Sequence, residues 1–292
     1  MIKGIFKDSG VLWKLLQLIA VFSFVLIATL LVTVLVTTND MNDMSNVKLM
    51  QLIQSIGLFI IPPFVMASLW SNNAFEFLRL KSTLRWTTVL YVVAFMLVAI
   101  PFINMLSWLN QQIILPEALS EIEKMMQSSE VQIAEITEKM LNVSTLGALL
   151  FNVFLVAVVP ALGEELFFRG TIQRLLSDWK GALFAIWITA FVFSAIHMQF
   201  YGFLPRMLLG AFLGYLLLWS GSLWLPIIAH FVNNSVAVVF YYLKFNGVKV
   251  IDVETIGTDD TLWLGIVSGI VCVFLGFLIR KNTRKATSEI QL

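Results

Sequence analysis

Long apolar runs with few charges constrain this chain more than any other feature of its sequence. The residues are 59% hydrophobic and only 13% charged, whereas a soluble domain normally carries about 25% charged residues. A run of about 20 mostly apolar residues can cross a bilayer as a helix, which satisfies its own backbone hydrogen bonds. We therefore predict an all-α polytopic membrane protein embedded in a lipid bilayer.

Segments of that length, or close to it, recur along the whole chain. They are residues 12–37, 49–70, 86–106, 145–163 (continuing as helix beyond 163), 182–197, 204–219, 223–243 and 262–279. Pro62-Pro63 and Pro101 lie inside the second and third segments and predict kinks, because proline removes a backbone donor and clashes with the preceding turn. We expect one membrane domain over residues 1–292, with about eight transmembrane helices.

The lysine and arginine residues predict the orientation. If both termini are cytoplasmic, the inner side holds thirteen of the 19 basic residues, and such an excess marks the cytoplasmic side. These are Lys3, Lys7, Lys14, Arg79, Lys81, Arg85, Arg169, Arg174, Lys180, Arg280, Lys281, Arg284 and Lys285. We predict a multi-pass protein of the cell membrane with both termini in the cytoplasm.

Charge and cysteine content exclude nucleic-acid binding, a disulfide framework and a cysteine metal site. The net charge is +1, which gives no case for nucleic acid, since such binding needs clustered basic residues. Cys272 is the single cysteine, so neither a disulfide framework nor a cysteine metal cage can form.

The longest outer loop, residues 107–144, is predicted to contain an amphipathic helix. Apolar residues recur there at steps of three and four, among acidic ones. The helix could bind a partner, or it could be a lid or spacer packed on the outer face of the bundle.

Two adjacent carboxylates, Glu164 and Glu165, follow a long apolar run. Residues four apart share a helix face, so Glu165 is expected to pair with Arg169, while Glu164 points elsewhere. An acid in a low-dielectric pocket without a cation can act as a general base or acid near neutral pH. The alternative is that both acids sit in a cytoplasmic loop.

The only two histidines end separate apolar segments. If the chain turns near residues 178–181, Glu164 and His197 lie at nearly the same height of a helical hairpin, and Phe193 can pack over the His197 ring. His230 and Asn234 share a face of a later helix. We expect these groups to converge in a cavity that opens toward the cytoplasm, although a histidine on an apolar helix is often only a packing residue.

These residues resemble the motifs of the CPBP intramembrane proteases, also called the Abi family, which include CAAX prenyl endopeptidases and bacteriocin-processing or immunity proteins. The family pattern is E-E-x-x-x-R, F-x-x-x-H and H-x-x-x-N. In this chain the three motifs are Glu164-Glu165 with Arg169, Phe193 with His197, and His230 with Asn234. The resemblance covers residues 146–242, the expected catalytic core.

The resemblance implies peptide-bond hydrolysis within the membrane. Glu164, helped by His197, would activate water, and His230 and Asn234 would hold the oxyanion. Glu165, Arg169 and Phe193 would have supporting roles. Glu164, His197 and His230 are also a possible zinc set, but we favour a mechanism without metal, because Asn234 suits an oxyanion donor better than a zinc ligand.

The expected substrate is a membrane-anchored peptide or protein, for example a CAAX-like or leader-peptide substrate. The main alternative is an immunity or binding protein that uses the same polar cavity without hydrolysis. A transporter that relays protons through Glu and His is a third hypothesis, which the absence of internal repeats disfavours.

Overall fold

The computed structural model describes residues 3–37, 40, 43–113, 116–249, 252–253 and 255–290, with side chains as far as Thr283. Every regular element in these ranges is a helix, which confirms the predicted all-α class. Two of the basic residues used for orientation, Arg284 and Lys285, have side chains outside the described part.

We number the principal helices in chain order. They are α1 (Val11–Val36), α2 (Met44–Trp70), α3 (Ala74–Phe77), α4 (Trp86–Val98), α5 (Ile100–Gln111), α6 (Ser120–Leu141), α7 (Leu146–Lys180), α8 (Ala182–Ala195), α9 (Phe203–Ser220), α10 (Trp224–Phe245) and α11 (Leu262–Ile290).

Within the described ranges, six helices are long and apolar enough to cross a membrane, or seven if α4 and α5 together form one bent span. The count of eight is therefore not confirmed. The predicted span that the structure does not confirm is residues 182–197, which contain α8. This helix is apolar but has only 14 residues, about 21 Å of helix. The predicted kink at Pro101 is confirmed, since α4 and α5 meet at 42° and Pro101 lies in the first turn of α5.

Prolines also coincide with π-helical turns inside the longer helices. In α2, the π turn Ser55–Ile60 precedes Pro62-Pro63, and in α7 the π turn Val153–Val158 precedes Pro160. Proline lacks the N–H that would close the regular ladder, and the widened turn accommodates its ring. A second π turn of α7, Phe168–Gln173, follows the two adjacent acids Glu164 and Glu165, which we call the acid pair.

The bundle has two ends, which can be recognised by hydrogen bonds between segments that are distant in the sequence. At one, the amide of Gly4 donates to the carbonyl of Ser68 (2.9 Å), and Asn282 near the described C-terminus donates to Thr88 (2.9 Å) at the start of α4. We call this the terminal end. At the opposite end, Asn110 donates to the Phe200 carbonyl (2.8 Å). We call this the α6 end, because α6 packs there.

The amphipathic helix predicted for residues 107–144 is confirmed as α6. Its side chains reach the connection between α8 and α9, where Gln127 donates to the Tyr201 hydroxyl (2.7 Å) and Glu130 accepts from the Tyr201 amide (2.9 Å). Burial raises the pKa of the Glu130 carboxyl above its usual value, although the bond from Tyr201 opposes the shift. Helix α6 thus contacts the segment that carries His197.

A cluster of aromatic rings fixes the middle of α7 within the bundle. Phe168 is 1% exposed, and its ring meets those of Phe167 and Phe193 edge to face, with 5.2 Å between centroids in each pair. Such contacts add about 0.5–1.5 kcal/mol each beyond the burial of apolar area. The contact between Phe168 and Phe193 joins α7 to α8 next to Glu164 and Glu165.

Candidate active site

The side chains of Glu165 and Arg169 form a fully buried ion pair on α7. Both are 0% exposed, and Arg169 Nη1 donates to Glu165 Oε1 at 2.8 Å. Arg169 Nη2 donates to the Gly210 carbonyl (2.8 Å), and the guanidinium lies 4.7 Å from the Phe193 ring centroid. The predicted pairing is confirmed. Because Arg169 is buried, the prediction that places it among the basic residues of the inner surface is wrong.

His230 joins this pair from α10. Its Nδ1 lies 2.9 Å from Glu165 Oε1, and since that carboxylate oxygen accepts, Nδ1 carries a proton and donates. Its Nε2 lies 3.8 Å from Glu164 Oε2. The imidazole therefore stands between the two carboxylates, with Glu165 fixing the orientation of its ring.

The second histidine has a comparable anchor. His197 Nδ1 lies 2.7 Å from the Phe193 carbonyl, so Nδ1 donates and Nε2 of the neutral ring has a free lone pair. The Phe193 ring packs edge-on against His197, with centroids 5.0 Å apart, as predicted. Burial, with the positive charge of Arg206 second, lowers the His197 pKa from 6.5 to about 4. His197 is consequently neutral at pH 7.

Asn234 lies one turn beyond His230 on α10. Its Nδ2 donates to the Val156 carbonyl (3.2 Å) in the first π turn of α7, and its Oδ1 accepts from Asn233 (3.2 Å). An amide nitrogen carries two hydrogens, so one donor of Asn234 is available to another group. The Val156 carbonyl of this π turn thus positions the Asn234 side chain.

Glu164, His197, His230 and Asn234 line one cavity of about 360 Å³. The other residues of its wall are Ile103, Ser107, Phe193, Gly202, Pro205, Arg206, Leu209 and Asn233. Glu164 is 16% exposed, and its buried Oε2 has no hydrogen-bond partner among the described residues. The structure therefore brings the four predicted residues together around a polar space, with an unpaired carboxylate oxygen facing a histidine.

Sequence reasoning missed four polar or small residues of this wall: Ser107, Gly202, Arg206 and Asn233. Arg206 had a usable signal, since it is a charge in the first turn of an apolar helix, where charges are costly unless they have a function. Asn233 adjoins a residue of the third motif. Ser107 and Gly202 carry no comparable signal.

The cavity lies between the middle of the bundle and the α6 end. His197 follows the end of α8, Gly202 precedes α9, and Ser107 lies near the end of α5, all on the side where Asn110 binds Phe200. The described parts of both termini lie at the opposite end. If both termini are cytoplasmic, as predicted, the loop residues of the cavity wall lie toward the non-cytoplasmic end of the bundle, and the direction in which the cavity opens stays a prediction. The sequence placed the site residues at similar heights but did not tell in which half of the helices they lie.

The zinc alternative can be examined from the donors. Both histidines are held through Nδ1 by an oxygen acceptor, as is common for metal-binding histidines. In the described part of the chain, however, no three His, Cys, Asp or Glu side chains are grouped closely enough to hold a metal ion. Glu164, His197 and His230 thus do not fit zinc as they are placed, and we derive no step through a metal.

Comparison with known proteins bears on the same segment. Residues 146–236 match the family described as type II CAAX prenyl endopeptidase Rce1-like. This confirms the resemblance inferred from the motifs. The Rce1-like segment contains α7, α8, α9 and the part of α10 that carries His230 and Asn234, and it points to a membrane protease.

Outside the family match, the chain is similar to a protein of unassigned function, and no solved structure matches it. The chain is similar to the uncharacterized protein YpbD of Bacillus subtilis (strain 168), with 26% identity over 89 residues. That alignment covers 29% of this chain and 43% of YpbD, so the chain spans less than half of the length of this relative.

Proposed function

We propose that this protein is an intramembrane endopeptidase that hydrolyses peptide bonds of membrane-anchored peptides or proteins by means of a water activated by Glu164 and His197. The observation that carries the proposal is that residues from all three motifs line one cavity. The Rce1-like match over residues 146–236 supports the reaction type.

The proposed reaction begins with a water between Glu164 and His197. Glu164 takes one proton, while the free Nε2 of His197 accepts a hydrogen bond from the same water and orients it. The hydroxide adds to the carbonyl carbon of the substrate. When the C–N bond breaks, Glu164 returns its proton to the departing amine, which leaves a carboxylic acid and an amine.

His230 and Asn234 are proposed to stabilise the oxyanion. His230 donates through Nε2 when both ring nitrogens carry protons, and the Glu165 carboxylate then supplies the opposite charge at Nδ1. Asn234 has one amide hydrogen beyond that bound to Val156. Removal of a single oxyanion donor costs about 10²–10³ in kcat in well-studied hydrolases.

The orientation in the membrane belongs to the same proposal. Lys7, Arg85 and Arg280 represent the basic residues near the terminal end of the bundle, and a basic excess marks the cytoplasmic side. With this orientation, the cavity is reached from the non-cytoplasmic side. The substrates would then be anchored peptides exposed on that side, rather than cytoplasmic prenylated proteins.

The proposal is tested with purified protein and acylated fluorogenic peptides in detergent. Wild type should cleave them, whereas Glu164→Gln should cleave them about 10²–10⁴-fold more slowly, because the amide cannot take the proton from water. Arg280→Gln, an exposed position on α11, is the control and should cleave normally. Cleavage by Glu164→Gln at the wild-type rate would refute the assignment.

The metal-free mechanism has a separate test. Elemental analysis should find no stoichiometric zinc in active protein, and a chelator should leave the initial rate unchanged. Loss of activity on chelation, with recovery on added zinc, would reverse this part of the proposal.

A further inference from the structure

Arg206 is the one cavity residue with a charge that the proposed reaction does not use. It lies in the first turn of α9 and contributes to the wall that also contains Glu164 and His197. A guanidinium keeps its positive charge at any relevant pH. Its presence in a cavity within an apolar bundle therefore needs a reason.

The guanidinium is held on one side only. Its Nη2 donates to Gln199 Oε1, and Gly202 leaves room for it, since a Cβ on Gly202 would lie 2.9 Å from Nη2. Its Nη1 is buried and has no hydrogen-bond partner among the described residues. One edge of the planar group is thus fixed, and the other edge lacks an acceptor.

Neither of the two carboxylates near Arg206 forms a salt bridge with its guanidinium. The negative charges of Glu130 on α6 and Glu164 on α7 attract the positive charge of Arg206. However, no salt bridge joins either carboxylate to Arg206 in the part of the chain that the structure describes. Each has other partners: Glu130 binds the Tyr201 amide, and Glu164 faces His230. A structural ion pair therefore does not account for Arg206.

We propose that Arg206 binds a carboxylate of the substrate, and so selects peptides that present this group near the bond to be cleaved. The inference rests on the proposed function, because the same cavity holds the reacting peptide. Arginine suits this role, since its N–H groups match the two oxygens of a carboxylate. The carboxylate is either the C-terminal one of the peptide or the side chain of Asp or Glu.

Binding is measured first, so that the result does not depend on hydrolysis. Three palmitoylated fluorescent peptides of one sequence are used: one with a free C-terminus, one with a C-terminal amide, and an amide with Glu in place of Gln near the cleavage position. Their affinity for the Glu164→Gln protein in detergent is determined by fluorescence anisotropy, and kcat/KM is then measured with Glu164 present.

We expect either the peptide with the free C-terminus or the amide with Glu to bind about 30-fold more tightly than the amide without Glu, which corresponds to about 2 kcal/mol. The amide without Glu is the neutral peptide. Arg206→Gln should reduce this ratio to about one while the neutral peptide binds as before. Arg206→Lys should retain part of the preference, because lysine keeps the positive charge but lacks the two parallel N–H groups with which a guanidinium binds a carboxylate. Gly202→Ala should weaken it by displacing the guanidinium, and Arg280→Gln should leave it unchanged.

Preference for the free C-terminus identifies the α-carboxylate as the ligand, and preference for the internal Glu identifies a side chain. Equal binding of all three peptides to protein with Arg206 intact would overturn the inference, as would a preference that persists in Arg206→Gln. The proposed function fails separately, if peptides bind with this preference but protein with Glu164 intact cleaves none of them.

Discussion

Replacement of Arg169 by methionine should destabilise the protein strongly, because it leaves a carboxylate buried without its cation. Arg169 and Glu165 are both 0% exposed. The substitution removes the 2.8 Å bond to Glu165, the 2.8 Å bond to the Gly210 carbonyl and the contact with the Phe193 ring. Methionine fills a similar volume, so the main loss is electrostatic rather than a cavity.

The size of the effect follows from the burial. Removal of one partner of a buried ion pair costs about 3–5 kcal/mol. Each kcal/mol shifts the unfolding midpoint by about 2–4 °C in chains of 150–250 residues, so we expect Tm to fall by roughly 10 °C. The double variant Glu165→Gln with Arg169→Met should lose less than the sum of the single variants, since glutamine still accepts from His230 and no unpaired charge remains.

The chain contains its own reporter for this measurement. Cys272 is the single cysteine and is 5% exposed, so a thiol-reactive dye that fluoresces on coupling detects unfolding as the protein is heated in detergent. The double-mutant cycle should give a coupling of about 1–3 kcal/mol. Strict additivity of the two substitutions would refute the reasoning that the carboxylate and the guanidinium depend on each other.

Three further outcomes are expected. Glu164→Gln should lower kcat by about 10²–10⁴-fold with little change in Tm, and a large loss of Tm would instead indicate a structural role. Because the pKa of His197 falls from 6.5 to about 4 on folding, the unfolded chain binds more protons between these values. Stability should therefore decrease as the pH drops from about 6.5 to about 4, a component that His197→Asn should remove in pH-dependent unfolding. Finally, in a Cys272→Ala background, Ser107→Cys should react with an impermeant maleimide added to intact cells and Lys7→Cys should not; the reverse pattern would place the cavity on the cytoplasmic side.

The helices of this chain could be predicted from the sequence because a helix that crosses a membrane needs about 20 mostly apolar residues. Gly181 lies at the predicted turn of residues 178–181, and Gly221 lies in the gap between the predicted segments that end at 219 and begin at 223. Both glycines have positive φ (87° and 65°). The exception is α8, which ends at Ala195 after 14 residues. Its apolar run was long enough to suggest a span, but the segment beyond Ala195 turns away and is held by Asn110, a residue about 90 positions earlier in the chain.

The four motif residues that line the cavity were predictable from the sequence, but the other residues of its wall and the contacts of these four were not. Spacing on a helix determines which face Glu165 and Arg169 share, so their pairing followed from local geometry. The Nδ1 contacts of His197 and His230, the π turns of α7 and the bond from Asn234 to Val156 depend on how helices pack. Sequence periodicity contains no information on that packing, and it could not show that Arg206 enters the same cavity.

The positions of Arg206 and His197 connect substrate binding with catalysis. The positive charge of Arg206 is the second cause of the low pKa of His197, after burial. A substrate carboxylate on Arg206, as we propose, would neutralise that charge and raise the pKa of His197, because a nearby cation disfavours protonation of the imidazole. His197 would then accept more strongly from the catalytic water when a carboxylate substrate is bound than when a neutral one is bound. Under this reasoning, selection of the substrate charge and activation of the water are two consequences of a single guanidinium.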